Sequence, residues 1–145
     1  MIRAFKTIPN GALVLGVAGL IPFVAGGVLV WLPQVQNITP AIAPVVFFYA
    51  ALIVSFLGGV RWGAAMQNAT NATALARELS ASVIPTLITL ACYILSLPAA
   101  LAMLLILIIS QGLVDILAVQ QKKLVAWYAP LRLLLSAVAG ASLAS

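Results

Sequence analysis

The chain has 145 residues, of which 65% are hydrophobic and 6% charged, with seven Lys/Arg, two Asp/Glu and no His. A soluble domain carries roughly 25% charged residues, so this composition, with a mean hydropathy of +1.24, excludes a soluble globule. With no His and the single cysteine Cys92, the usual zinc, haem and iron–sulfur ligand sets are excluded, as are Ser–His–Asp and Cys–His catalysis.

A spanning helix needs about 20 mostly apolar residues. Five stretches meet or approach that length, and they predict an all-α fold: a polytopic membrane protein, a bundle of five transmembrane helices in one integral domain over residues 1–145. The first span covers residues 11–32 and holds no charge. Arg3 and Lys6 precede it as in a secretory signal, but it is too long, lacks an Ala-x-Ala exit and is followed by further spans. Pro22 sits mid-span, between Gly19 and the Gly26-Gly27 pair. Proline removes a backbone hydrogen bond and clashes with the carbonyl four residues back, that of Ala18. The result is either an ordinary kink or a break that lines a binding cavity, as in many transporters.

The second span covers residues 43–66 and is interrupted only by Arg61. Ala51, Ser55, Gly59 and Gly63 recur in it at four-residue spacing. Small residues so spaced let helix backbones approach closely, which predicts a packing seam within the bundle or, alternatively, between two copies of the chain. Residues 67–81 are the only substantial polar segment, read as a solvated loop with a short interfacial helix around Thr73–Leu79. Its two Asn-x-Thr sequons, at Asn68 and Asn71, are expected on the inner face, away from glycosylation. The third span, 82–97, is short and contains Cys92, expected as a small packing residue. The fourth, 99–119, contains Gln111 and Asp115. The fifth, 130–145, carries Arg132 in its first turn and continues the small-residue spacing through Ser136, Gly140 and Ala144.

With the N-terminus inside, segments 1–10, 61–81 and 120–132 face the cytoplasm and hold every basic residue of the chain. The outer segments, 33–42 and the Ser96-Leu97-Pro98 turn, hold none. This positive-inside asymmetry predicts an odd number of spans and an outer C-terminus. Trp62, Trp127 and Tyr128 fall at the inner interface and Trp31 at the outer one, where aromatic belts form.

Asp115, Arg61 and Arg132 are predicted at similar depth, Asp115 being roughly 10 Å inside its helix end at 1.5 Å per residue. An isolated charge deep in hydrocarbon costs about 2.5–3.5 kcal/mol on insertion scales. Pairing offsets part of that cost, and Gln111, one turn from Asp115, can hydrogen-bond into the cluster. Three readings stay open: a clamp holding the second, fourth and fifth helices, arginines that snorkel to the interface, or a site for an anionic headgroup or a proton-coupled substrate.

Several phrases resemble a known family: Leu15–Phe23 in the first span, Tyr49 and Ser55–Gly63 in the second, Ser82–Pro85 in the third, with Asp115, Trp127 and Arg132. Together they resemble the domain of unknown function 3429 family, to which bacterial membrane proteins of this size and the mitochondrial transmembrane protein 69 belong. The resemblance implies a small five-span inner-membrane protein, brings no established activity, and favours a bacterial source.

The expected function is therefore a non-enzymatic integral protein of the bacterial cytoplasmic membrane, acting as an accessory, interaction or lipid-contacting component. The alternative is a small transporter or channel that uses the Pro22-broken helix and the Arg61/Asp115/Arg132 cluster. No catalytic, cofactor-binding or metal residues are expected. The expected partners are membrane lipids, including anionic headgroups, and a membrane protein or a second copy, with no nucleic acid.

Overall fold

The computed structural model describes residues 7–29, 31–32, 37 and 39–143. Arg3, Lys6, most of the residues between 33 and 38, and residues 144–145 lie outside the described residues. The described chain is helical, with no strand among the described residues. Helix α1 runs Asn10–Ala18, α2 Ile21–Leu29, α3 Thr39–Asn68, α4 Ala72–Ala91, α5 Leu97–Gln120 and α6 Tyr128–Leu143, with a 3-10 turn, Cys92–Ile94, after α4. Four segments are long and apolar enough to cross a membrane: Asn10–Leu29, Pro40–Asn68, Ala72–Ile94 and Leu97–Gln120. The fifth, α6, is apolar but shorter, at 16 residues. This is a multi-pass membrane bundle. Its outer surface is apolar, with Leu15, Phe56, Leu90 and Ile94 all exposed, as lipid-facing positions should be.

The first span is broken at Gly19–Leu20, directly before Pro22. Freed backbone groups in a bilayer must find a partner within the protein. Here Tyr49 on α3 donates its hydroxyl to the Gly19 carbonyl at 2.9 Å. Its ring also meets Phe23 edge-on, centroids 5.4 Å apart. The break is thus tied to α3 at the level of the core, which comprises Leu20, Phe23, Ala50, Val54, Leu104, Leu107, Ile108 and Ala139.

The polar segment after α3 departs from expectation. The break between α3 and α4 is only 69–71, and α4 begins at Ala72, ten residues before the expected third span. The cause is local. Asn71 is extended and caps α4, its side chain accepting from the Ala74 amide at 2.8 Å. Asn is among the preferred N-cap residues. Asn68 donates to the Ala64 carbonyl at 2.8 Å and to the Lys123 carbonyl at 3.1 Å. The two Asn residues therefore serve a cap and a loop tie, and the expected interfacial helix is the first part of a continuous span.

On α3 the Gly59/Gly63 face does not form the packing seam expected within the bundle. A Cβ added at Gly59 or Gly63 meets nothing within 4 Å. The close approach occurs one residue away, where a Cβ at Gly58 would stand 2.5 Å from the Ser82 carbonyl oxygen of α4. One residue is 100° of helix rotation, so the Gly59/Gly63 face turns away from α4, and Ser55 is half-buried. The stripe on α6 does pack within the bundle. Ser136 Oγ stands 2.7 Å from the place a Gly112 Cβ would take, and Gly140 lies against Leu105 of α5. Helices α3 and α4 pack extensively, as do α5 and α6, whereas α4 and α5 touch little although they are consecutive.

Candidate functional site

Helix α5 buries Ile108, Gln111, Gly112 and Asp115, spaced three and four residues apart on one face. Helix α6 buries Leu131, Arg132, Ala139 and Gly140. These faces meet, and Arg132 Nε donates to Asp115 Oδ2 at 2.9 Å. Arg132 Nη2 also donates to the Ile108 carbonyl at 3.3 Å. Asp115 is 0% and Arg132 2% exposed, so the pair is closed to both water and lipid. Gln111 joins the polar core differently from expectation: its amide donates to the Val54 carbonyl of α3 at 3.3 Å. The Tyr128 hydroxyl is buried beside the Asp115 carboxylate, outside hydrogen-bond geometry. Helices α3, α5 and α6 are thereby cross-tied by Gln111 and by the Arg132–Asp115 pair.

Arg61 does not join this pair. It acts on Asp115 only through space and instead lines a cavity of about 320 Å³ between α3, α4 and α5. The other charged residues of that cavity are Arg77 and Glu78 from α4 and Lys123 from the loop after α5. Lys123 Nζ pairs with Glu78 Oε1 at 2.6 Å. The loop is set by the end of α5. The Lys122 amide donates to Val119, the Lys123 amide to Ala118, and Lys122 itself has φ 60°. That is a Schellman termination with lysine in the left-handed position usually held by glycine. It turns the chain back so that Lys123 faces Glu78, and the Asn68 bond to the Lys123 carbonyl holds it there.

The sequence thus placed Asp115, Gln111, Arg132 and Arg61 in one cluster, and the structure separates them into two. Asp115, Arg132 and Gln111 form a sealed tie. Arg61 belongs to a half-open cationic cavity with Arg77, Glu78 and Lys123. The last three were missed as site residues. The signal for Arg77 and Glu78 was the Asn71 N-cap, which starts α4 early enough to put them in helical register beside α3, whereas Lys123 is placed by the turn that ends α5.

A second cavity, of about 330 Å³, runs along the broken first span, between α1, α2, α3 and α6. Gly16, Leu20, Phe23, Ile53, Phe56 and Leu135 line it, and its walls are almost wholly apolar. The kink at Pro22 therefore does border a cavity, one suited to hydrocarbon.

Residues 8–145 match the family described as Protein of unknown function (DUF3429). The chain belongs to this family. It is similar to Transmembrane protein 69 of Xenopus tropicalis, with 43% identity over 91 residues, which is 60% of this chain and 34% of that protein. The match spans about a third of that relative's length. No solved structure matches. The DUF3429 match includes both the Asp115–Arg132 tie and the cationic cavity, since all their residues fall within 8–145.

Proposed function

We propose that this protein is a non-enzymatic component of the bacterial cytoplasmic membrane that acts by contact, holding lipid or a membrane-protein partner against its helices. The observation that carries this reading is the closed state of its deep charged pair. Asp115 and Arg132 are buried and bonded to each other, so the only carboxylate in the bundle core serves to hold helices together. The remaining charged side chains of the described residues lie toward one end of the bundle, where the 69–71 and 121–127 connections meet through the Asn68–Lys123 and Glu78–Lys123 bonds. In our reading that end is cytoplasmic, with the N-terminus inside and the C-terminus periplasmic, because Arg61, Arg77, Lys122 and Lys123 lie toward it and the sequence assigns the remaining basic residues to the same side. The apolar cavity beside the broken first span fits an acyl chain better than a polar solute, since it offers few hydrogen-bonding groups.

The alternative, a small transporter or channel, draws on the same break, because Gly19, Leu20 and Phe23 line that cavity. Affinity purification from native membranes in mild detergent separates the two. Retained phospholipid or a stoichiometric membrane subunit is the expected result. A lone, lipid-free protein that gives substrate-dependent flux in proteoliposomes would overturn the contact reading in favour of transport.

A further inference from the structure

We propose that the cavity between α3, α4 and α5 binds a phosphate group through Arg61, Arg77 and Lys123. The site rests on lipid contact only for the source of that phosphate, which is a phospholipid headgroup or a soluble phosphate.

Three separate segments bring cations to this one cavity: Arg61 from near the end of α3, Arg77 from the second turn of α4, and Lys123 from the α5–α6 loop. The only carboxylate on its wall is Glu78, and Glu78 is engaged by Lys123. The other carboxylate of the chain, Asp115, is engaged by Arg132. Neither Arg61 nor Arg77 has a carboxylate within ion-pair distance among the described residues. Three cations against one anion leave a local excess of two positive charges, which matches a phosphate. Arginine presents a planar fork of donors suited to phosphate oxygens.

The cavity is also built to hold its shape. Lys123 is fixed by the Schellman turn, by its ion pair and by the Asn68 bond to its carbonyl. Lys122, a non-glycine residue held at φ 60°, turns the chain so that the next side chain, Lys123, lines the cavity. A volume of about 320 Å³ accepts a phosphate with its ester substituents. Val114 and Leu117 form an apolar wall on the α5 side, which suits the glycerol and first methylenes of a phospholipid. Trp62, the exposed neighbour of Arg61, suits an interfacial depth.

The test uses the full chain in neutral detergent, offered phosphatidylglycerol or phosphatidylcholine in mixed micelles and read by native mass spectrometry. A parallel titration with inorganic phosphate is read by thermal unfolding. The wild type should retain phosphatidylglycerol over phosphatidylcholine. Arg77→Gln, at an exposed position that leaves the fold intact, should cut that retention about fivefold, the worth of one basic residue at an anionic surface. Arg61→Gln should do the same. Lys122→Gln removes an exposed charge outside the cavity and should change retention little. Glu78→Gln should raise it, whereas a purely structural role for the Lys123–Glu78 pair would lower it. If phosphatidylglycerol is not preferred but inorganic phosphate stabilises the wild type and not Arg77→Gln, the cavity binds a soluble phosphate. If Arg77→Gln and Lys122→Gln behave alike and phosphate has no effect, the site is refuted. Unselective lipid retention in that last case would still leave the contact function standing.

Discussion

Removing either partner of the Arg132–Asp115 pair should destabilise the bundle far more than removing both. In Arg132→Met, Asp115 stays at a position with 0% exposure and loses the 2.9 Å bond from Nε. Its other oxygen, Oδ1, has no hydrogen-bond partner among the described residues, and Arg61 reaches it only through space. The Ile108 carbonyl also loses the donor at 3.3 Å. Breaking a buried pair in this way costs about 3–5 kcal/mol, because it strands an uncompensated charge. Asp115→Leu strands the Arg132 guanidinium instead and should cost a similar amount. The double variant Asp115→Leu/Arg132→Met leaves no charge behind. Apolar replacement of a buried pair is often neutral or stabilising, so its stability should fall within about 1 kcal/mol of wild type. The assay is reversible unfolding in mixed micelles by added denaturing detergent, followed by tryptophan fluorescence. The coupling energy, read as the double-variant effect less the two single effects, should reach several kcal/mol in the direction of mutual dependence. Additive single effects, with coupling below about 0.5 kcal/mol, would refute the tie and imply that each residue acts alone.

Three further outcomes are expected. Gly58→Ala puts a Cβ 2.5 Å from the Ser82 carbonyl and should cost about 1–3 kcal/mol by overpacking, whereas Gly59→Ala, in open space, should be neutral or gain up to about 1 kcal/mol of helix propensity; equal effects in the same unfolding assay would contradict the α3–α4 contact. Tyr49→Phe keeps the ring against Phe23 but removes the donor to Gly19, for an expected loss of about 1 kcal/mol, in the range measured for hydrogen bonds within membranes; unchanged stability would mean that the broken first span needs no tie to α3. A periplasm-restricted reporter fused after Ser145 should be active, and activity of a cytoplasmic reporter there instead would reverse the proposed orientation.

Much of the fold was legible because it depends on composition and helical period. Long apolar runs bounded by polar residues mark the spans whatever packs against them, and the four longest segments lie near their expected positions. The start of α4 was not legible in the same way, since residues 72–81 are too polar to read as membrane helix. The cue was the Asn71 cap, an interaction of one side chain with the Ala74 amide. Hydropathy averages over a window and carries no such information. The direction of the α3 stripe was not legible for a related reason. Four-residue spacing identifies a face of small residues but not its direction, and in α3 the face used against α4 is that of Gly58.

Arg61 and Arg132 show where depth stops being informative. Both lie near the same end of their spans, so the sequence places them at one depth and leaves open which of them pairs with Asp115. What separates them is the space on the far side of α5. Arg132 shares a face of α6 with Ala139 and Gly140, small residues that let α6 close on α5 and bury the guanidinium against Asp115. Arg61 follows the buried Val54, Leu57 and Gly58 on α3 and precedes the buried Ala65, so it too starts from a packed face. However, α4 and α5 make little contact, and beside Arg61 they leave a cavity lined by Arg77, Glu78 and Lys123. An arginine facing a closed helix pair must bring its counter-charge with it, and Asp115 supplies that charge within the chain. An arginine facing a gap at the membrane interface can take its counter-charge from outside. The chain has no Asp or Glu side chain left for Arg61 and Arg77 once Asp115 and Glu78 are engaged, and for that reason the open cavity, rather than the sealed pair, is where an external anion belongs.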